Sequence, residues 1–165
     1  MSRRLEIGAL VALCFFLPLY EAPKSIFCVL YLVVWIVNRV RQRDFGGRWD
    51  AWDSVIAAWI ASAFVVAPFA GIPGGDEWRG ALDVLRYGSV LWLTKRSRYE
   101  EREIRWLLGA LVASVLLGAA LGFWSWMSNE EIRSLQLNSV GHVNHTAIYL
   151  AIMLGLCVAW GLEGG

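Results

Sequence analysis

Two ionisable side chains lie in the middle of an apolar stretch, and they are the first candidates for chemistry in this sequence. Arg86 follows Asp83 by three residues, so the two side chains share one face of a helix. An arginine at the centre of a membrane helix costs roughly 2.5–3.5 kcal/mol on insertion scales, so it must face protein or a water-filled cavity. Two interpretations stay open: an internal ion pair that neutralises both groups, or a guanidinium that binds a phosphate of a substrate.

A second polar cluster stands at the start of the last apolar stretch, where His142, Asn144 and His145 fall close together. Asn144 fits the N-cap position of a helix, and anions favour helix N-termini. The three side chains are therefore either interfacial capping groups or part of an anion site. A metal pair of His142 and His145 lacks a third ligand, so no metal site is predicted. The candidate substrate-binding residues are Arg86, His142, Asn144 and His145, and no catalytic residue is assigned.

Six apolar stretches must position these residues. They cover residues 5–20, 25–40, 52–72, 78–93, 104–127 and 146–162. A helix needs about 20 apolar residues to cross the hydrocarbon layer of a bilayer, and the third and fifth stretches reach that length. The other four need snorkelling flanks or a locally thinner bilayer. The pattern predicts an all-α, polytopic transmembrane helical bundle with six spans, formed by residues 1–165 as a single domain.

The composition excludes two broad classes of protein. Hydrophobic residues make up 58% of the chain and the formal net charge is only +1, whereas a soluble domain needs a far more polar surface. The basic runs are short and lie against the apolar stretches, so they do not form a nucleic-acid footprint. The predicted partner is the lipid bilayer, and no nucleic acid is expected.

The distribution of cations predicts the orientation in the membrane. Eleven lysines and arginines fall in alternate gaps and only three in the gaps between those, which is a strong positive-inside signal. The N-terminus is therefore predicted to be cytoplasmic, with the loops 73–77 and 128–145 on the outer side. The eleven are Arg3, Arg4, Arg39, Arg41, Arg43, Arg48, Lys95, Arg96, Arg98, Arg102 and Arg105, and the three are Lys24, Arg79 and Arg133.

Small residues recur at every fourth position of the fifth and sixth stretches. Such rows let membrane helices approach closely, so the two helices are predicted to pack face to face through Gly118, Gly122, Ala151 and Gly155. The rows are Ala110, Ser114, Gly118 and Gly122 in the fifth stretch, and Ala147, Ala151, Gly155 and Ala159 in the sixth.

The ten tryptophans fall into two groups by position. Most lie at the ends of the apolar stretches, Trp92 among them, and are predicted to form interfacial aromatic belts rather than a ligand site. Trp35 and Trp59 lie deeper and are predicted to be packing residues.

The segment 139–159 contains the run Gly-His-Val-Asn-His-Thr-Ala-Ile-Tyr-Leu-Ala at 141–151, after an outer loop, and the fourth apolar stretch contains Leu-Arg-Tyr-Gly at 85–88. In these features the chain resembles the O-antigen ligase family, a group of polytopic membrane proteins that also includes O-antigen polymerases. The resemblance implies a bacterial inner-membrane enzyme that transfers a glycan from an undecaprenyl-pyrophosphate carrier to lipid A–core in lipopolysaccharide assembly. It also implies that neither a nucleotide nor a metal cofactor is needed.

The sequence departs from that family in one respect. The family's large periplasmic loop, with its catalytic histidine and several arginines, follows more helices than this chain has. We therefore expect the chain to be the N-terminal half of a larger bundle without the catalytic loop, in which Arg86 and Asn144 or His145 line the cavity of the carrier lipid. Three other functions stay open: an O-antigen polymerase, a secondary transporter and a non-catalytic membrane subunit.

Overall fold

The computed structural model describes residues 3–70, 76–128, 137 and 143–163. The described residues are mostly helical and contain no strand, so the predicted all-α class is confirmed. The helices are α1 Arg3–Phe16, α2 Glu21–Gln42, α3 Ala51–Val66, α4 Asp76–Arg96, α5 Glu101–Ser128 and α6 Val143–Glu163, and a short 3-10 helix, Ala67–Phe69, follows α3.

Local sequence explains where several of these helices begin and end. Proline cannot continue an α-helix. Accordingly, α1 ends just before Pro18, and α3 gives way at Pro68 to the 3-10 helix. Asp50 caps α3, accepting a hydrogen bond from the backbone of Asp53. The helices α2 and α4 are each followed closely by a residue with positive φ, Arg43 and Arg98 respectively.

Within the part of the chain that the structure describes, three helical segments are long and apolar enough to cross a membrane: Glu21–Gln42, Ala51–Phe69 and Glu101–Ser128. The segment Thr146–Leu162 is a shorter apolar helix. Many large apolar side chains on these helices are exposed, including Leu116 and Leu154, as in helices that face lipid. The membrane class predicted from the sequence therefore holds in this coarser form, while the six spans and their orientation stay predictions.

The chain divides into two compact units. In the first, residues 32–99, α3 and α4 run antiparallel and pack closely at Gly88. A Cβ atom at Gly88 would lie 2.6 Å from Cγ1 of Ile60, so any larger residue would force Ile60 to move. Trp35 is buried, as predicted, but Trp59 is exposed.

The second unit comprises residues 2–31 and 100–165, and in it α1 runs parallel to α5. Arg3 binds Glu103 near the N-termini of both helices, with Nη2 2.7 Å from Oε2. Further along, Gly118 packs against Leu19 and Leu137, which would lie 3.4 and 3.2 Å from a Cβ atom there. Gly118 of the small-residue row in α5 therefore lies at an interface, but its neighbours are Leu137 and the residues that follow α1.

The predicted packing of α5 on α6 through their small residues is wrong. A Cβ atom added at Gly155 would have no atom of the described residues within 4 Å, and Ala151 is exposed. The two helices meet at other residues, and in one of these contacts Trp160 lies over Gly109, 3.8 Å from the position that a Cβ atom would take. The residues Pro18 and Leu19 occupy the groove beside Gly118 that α6 was predicted to fill.

Candidate functional site

The predicted pair on α4 is formed. Arg86 Nη1 lies 3.3 Å from Asp83 Oδ1, and the side chains are 33% and 54% exposed respectively. Arg86 is thus half-buried, while its partner is largely open to the surroundings. The ion-pair interpretation describes this contact, and a role for Arg86 in substrate binding stays a prediction.

The cluster at the start of α6 is described only in part. His142 lies outside the described residues, and so do the side chains of Asn144 and His145. The backbone of Asn144 and His145 belongs to α6, which begins at Val143. Asn144 is therefore inside the first helical turn rather than at the predicted N-cap, and the anion site predicted for these residues stays a prediction.

A denser polar cluster, which we call the Asp53 cluster, joins the start of α3 to the end of α4. Its centre is the carboxylate of Asp53, which is fully buried. Arg96 binds it through two hydrogen bonds, from Nε to Oδ1 at 3.2 Å and from Nη2 to Oδ2 at 2.6 Å. Trp92 Nε1 donates to Oδ1 at 2.8 Å, and Lys95 Nζ lies 2.9 Å from the same oxygen. Asp50 closes a capping box by donating its backbone N–H to Oδ2 at 2.8 Å.

Arg96 also anchors the loop that precedes α3. Its Nη1 donates to the carbonyl oxygens of Phe45 and Gly47, both at 3.0 Å. Its guanidinium lies 5.0 Å from the ring centre of Trp92 and 5.8 Å from that of Trp49, within the range of cation–π attraction. One arginine therefore links a loop, two indole rings and the buried carboxylate.

A buried hydrogen bond extends the cluster to the second half of α2. Trp35 Nε1 donates to Ser97 Oγ at 2.7 Å, and that hydroxyl donates to the carbonyl of Leu93 at 2.7 Å. Because a buried indole N–H left without an acceptor is costly, the contact fixes Trp35 against the end of α4.

The contacts of the Asp53 cluster indicate a structural role rather than a catalytic one. The carboxylate of Asp53 already receives five donors, so it has little capacity left to take a proton or to bind a ligand. Its negative charge lies at the N-terminus of α3 and the charges of Lys95 and Arg96 at the C-terminus of α4, where each complements the helix dipole. The hydrogen bond from Lys95 also lowers the pKa of Asp50 below its usual value.

Sequence reasoning missed the Asp53 cluster. It used Lys95 and Arg96 only as markers of orientation and assigned Trp92 to an aromatic belt, whereas Trp92 donates to a buried carboxylate. One signal was present: the spacing of Asp50 and Asp53 resembles a capping box with aspartate at its third helical position. That spacing indicates a helix start, but it does not reveal a partner 43 residues away in the chain.

The comparisons with known proteins give no match. No family model matches the sequence, and no significant match is found among curated proteins or among solved structures. The resemblance of the run at 141–151 to the O-antigen ligase family therefore stays an expectation that rests on those residues.

Proposed function

We propose that this chain forms part of an O-antigen ligase-like membrane enzyme, in which Arg86 binds the pyrophosphate of an undecaprenyl-linked glycan. The observation that best supports this proposal is the state of Arg86. It is half-buried in the middle of α4, and its described ion pair is one contact of 3.3 Å to a carboxylate that is 54% exposed. A guanidinium has five N–H donors, so this contact leaves donors for an anion.

In the proposed reaction, the guanidinium of Arg86 stabilises the departing pyrophosphate. The acceptor hydroxyl of lipid A–core attacks the anomeric carbon of the glycan, and the bond from that carbon to the pyrophosphate oxygen breaks. Negative charge then develops on the departing pyrophosphate, and a planar arginine fork stabilises it through two parallel hydrogen bonds. The hydroxyl proton needs a base, which we do not assign to any residue of this chain.

The function is tested by deleting the gene that encodes this chain in its own bacterium. We expect lipid A–core without attached glycan on lipopolysaccharide gels, together with accumulated undecaprenyl-linked glycan. Unchanged glycan on lipid A–core would exclude the proposal. Attachment of single repeat units in place of long chains would identify a polymerase instead.

Complementation of the deletion strain with Asp83→Ala and Arg86→Ala separates the two interpretations of the pair. If Arg86 binds the carrier, Arg86→Ala loses transfer, whereas Asp83→Ala retains it because the guanidinium remains. If the pair is only structural, both variants behave alike, since each one breaks the same contact. The amount of each variant in the membrane, measured by immunoblot, is the control for insertion.

A further inference from the structure

A polar cavity of about 230 Å³ opens beside the Asp53 cluster, where α3 begins and α4 ends. The cavity has an excess of positive charge, because four cationic side chains and two carboxylates line it. The charged side chains that line it are Arg48, Lys95, Arg96, Arg98, Asp50 and Asp53.

Backbone geometry brings two of these arginines to the cavity. Gly46 has φ +84°, and a Cβ atom there would lie 2.5 Å from the carbonyl oxygen of Arg96, so the glycine lets the loop rest on the end of α4. A Cβ atom at Gly47 would lie 3.2 Å from Nη2 of Arg98. Arg98 itself has φ +45°, a left-handed conformation that usually favours glycine after a helix. An arginine here carries a backbone cost and places its guanidinium over the loop.

An apolar groove of about 440 Å³ runs along α3 and α4 from the same end of the helix pair. Lys95 lines both the groove and the polar cavity, so the groove and the cavity adjoin each other at this side chain. The remaining lining residues of the groove are Trp52, Val55, Ile56, Trp59 and Leu91. Those on α3 follow the spacing of one helix face.

We propose that the cavity and the groove together bind one anionic membrane phospholipid, with its phosphate in the cavity and an acyl chain in the groove. Basic pockets at the ends of membrane helices suit lipid phosphates, and arginine binds phosphate through two parallel hydrogen bonds. Of the arginines that line the cavity, Arg48 and Arg98 are exposed, so a lipid headgroup can reach them. This site is separate from Arg86 and does not depend on the proposed transfer reaction.

The surroundings of the cavity favour a lipid over a soluble phosphate. Trp49 and Trp52 are exposed beside it, and indole rings concentrate at the level of the lipid headgroups. The segment Ala51–Phe69, which begins here, is apolar enough to cross the bilayer, so its first residues would lie at the headgroup depth. A soluble phosphate has no acyl chain and would leave the adjoining apolar groove unoccupied.

The experiment counts lipids retained by the purified full chain in native mass spectrometry after reconstitution with equal phosphatidylglycerol and phosphatidylcholine. We expect one tightly retained phosphatidylglycerol. Arg98→Gly and Arg48→Gln should each weaken it at least about tenfold, as expected for the loss of hydrogen bonds to a charged group. Arg105→Gln is the matched control, because Arg105 is an exposed arginine that binds Glu101 and does not line the cavity. Arg98→Gly also suits the left-handed backbone, so thermal unfolding should show an intact fold.

Three outcomes would overturn the proposal. Equal weakening by Arg105→Gln would mean general attraction to anionic lipid, and equal retention of both lipids would mean that the site does not select an anionic headgroup over a zwitterionic one. Glycerol 3-phosphate or dihexanoyl phosphatidylglycerol binding as tightly as the long-chain lipid would exclude the acyl-chain groove and assign the cavity to a soluble phosphate. A variant that loses glycan transfer but still retains phosphatidylglycerol would bear only on the function proposed for Arg86.

Discussion

The helix α4 takes part in two aspartate–arginine pairs that differ in almost every physical respect. Asp83 and Arg86 are one turn apart, make one contact of 3.3 Å and are both partly exposed. Asp53 and Arg96 come from two helices, form two hydrogen bonds and are almost completely buried, with side-chain exposures of 0% and 6%. In the first pair, the guanidinium of Arg86 has N–H donors that the contact with Asp83 does not use. In the second pair, the guanidinium of Arg96 uses its donors for contacts within the protein.

The comparison of the two pairs shows that a position deep within an apolar stretch does not identify the arginine that stabilises the fold. Arg86 attracts attention in the sequence because its neighbours are apolar, yet an (i, i+3) pair contributes only about 0.2–0.5 kcal/mol. Arg96 looks like an ordinary end-of-helix cation, but removing one partner of a buried pair costs about 3–5 kcal/mol. We therefore assign Arg96 a structural role and keep Arg86 as the candidate for binding an anion.

The largest expected effect follows from removing the buried carboxylate. Asp53→Ala should lower the free energy of unfolding by about 3–5 kcal/mol, because Arg96 is left buried without its counter-ion. Asp83→Ala is the matched control on the other pair and should cost no more than about 0.5 kcal/mol. Thermal unfolding in detergent with a tryptophan fluorescence readout measures both. Similar losses for the two variants would remove the distinction between the pairs.

A smaller effect is expected where the loop rests on the end of α4. Gly46→Ala and Gly47→Ala both place a side chain at positive φ, but only Gly46 faces a backbone oxygen, at 2.5 Å, whereas Gly47 faces the flexible end of Arg98. Because a backbone clash is harder to relieve, Gly46→Ala should be less stable than Gly47→Ala by about 1–3 kcal/mol. The difference in midpoint of thermal unfolding measures it, and equal midpoints would show that the loop does not depend on this close contact.

The sequence predicted the parts of the fold that depend on local patterns. Apolar runs indicated the helices α1 to α6, and the ion pair on α4 followed from a spacing of three residues. The contact between Asp53 and Arg96 was missed because it depends on how α3 and α4 pack, which no local spacing encodes. The row of small residues in α5 was predicted to pack on α6, but Gly118 has other neighbours, because a row of small residues does not specify its partner. Leu137 and Leu19, the latter just beyond the end of α1, lie next to Gly118.

The most direct test of this account replaces each arginine of the two pairs by lysine and measures both the folded fraction and glycan transfer in the deletion strain. A lysine keeps the charge but cannot form the two-point contact of a guanidinium. We predict that Arg96→Lys lowers the folded fraction, because the contacts to Asp53 and to the carbonyls of Phe45 and Gly47 need several donors. Arg86→Lys should leave the folded fraction unchanged and reduce transfer only in part. Unfolding caused by Arg86→Lys, with full stability and activity in Arg96→Lys, would contradict the assignment of both arginines.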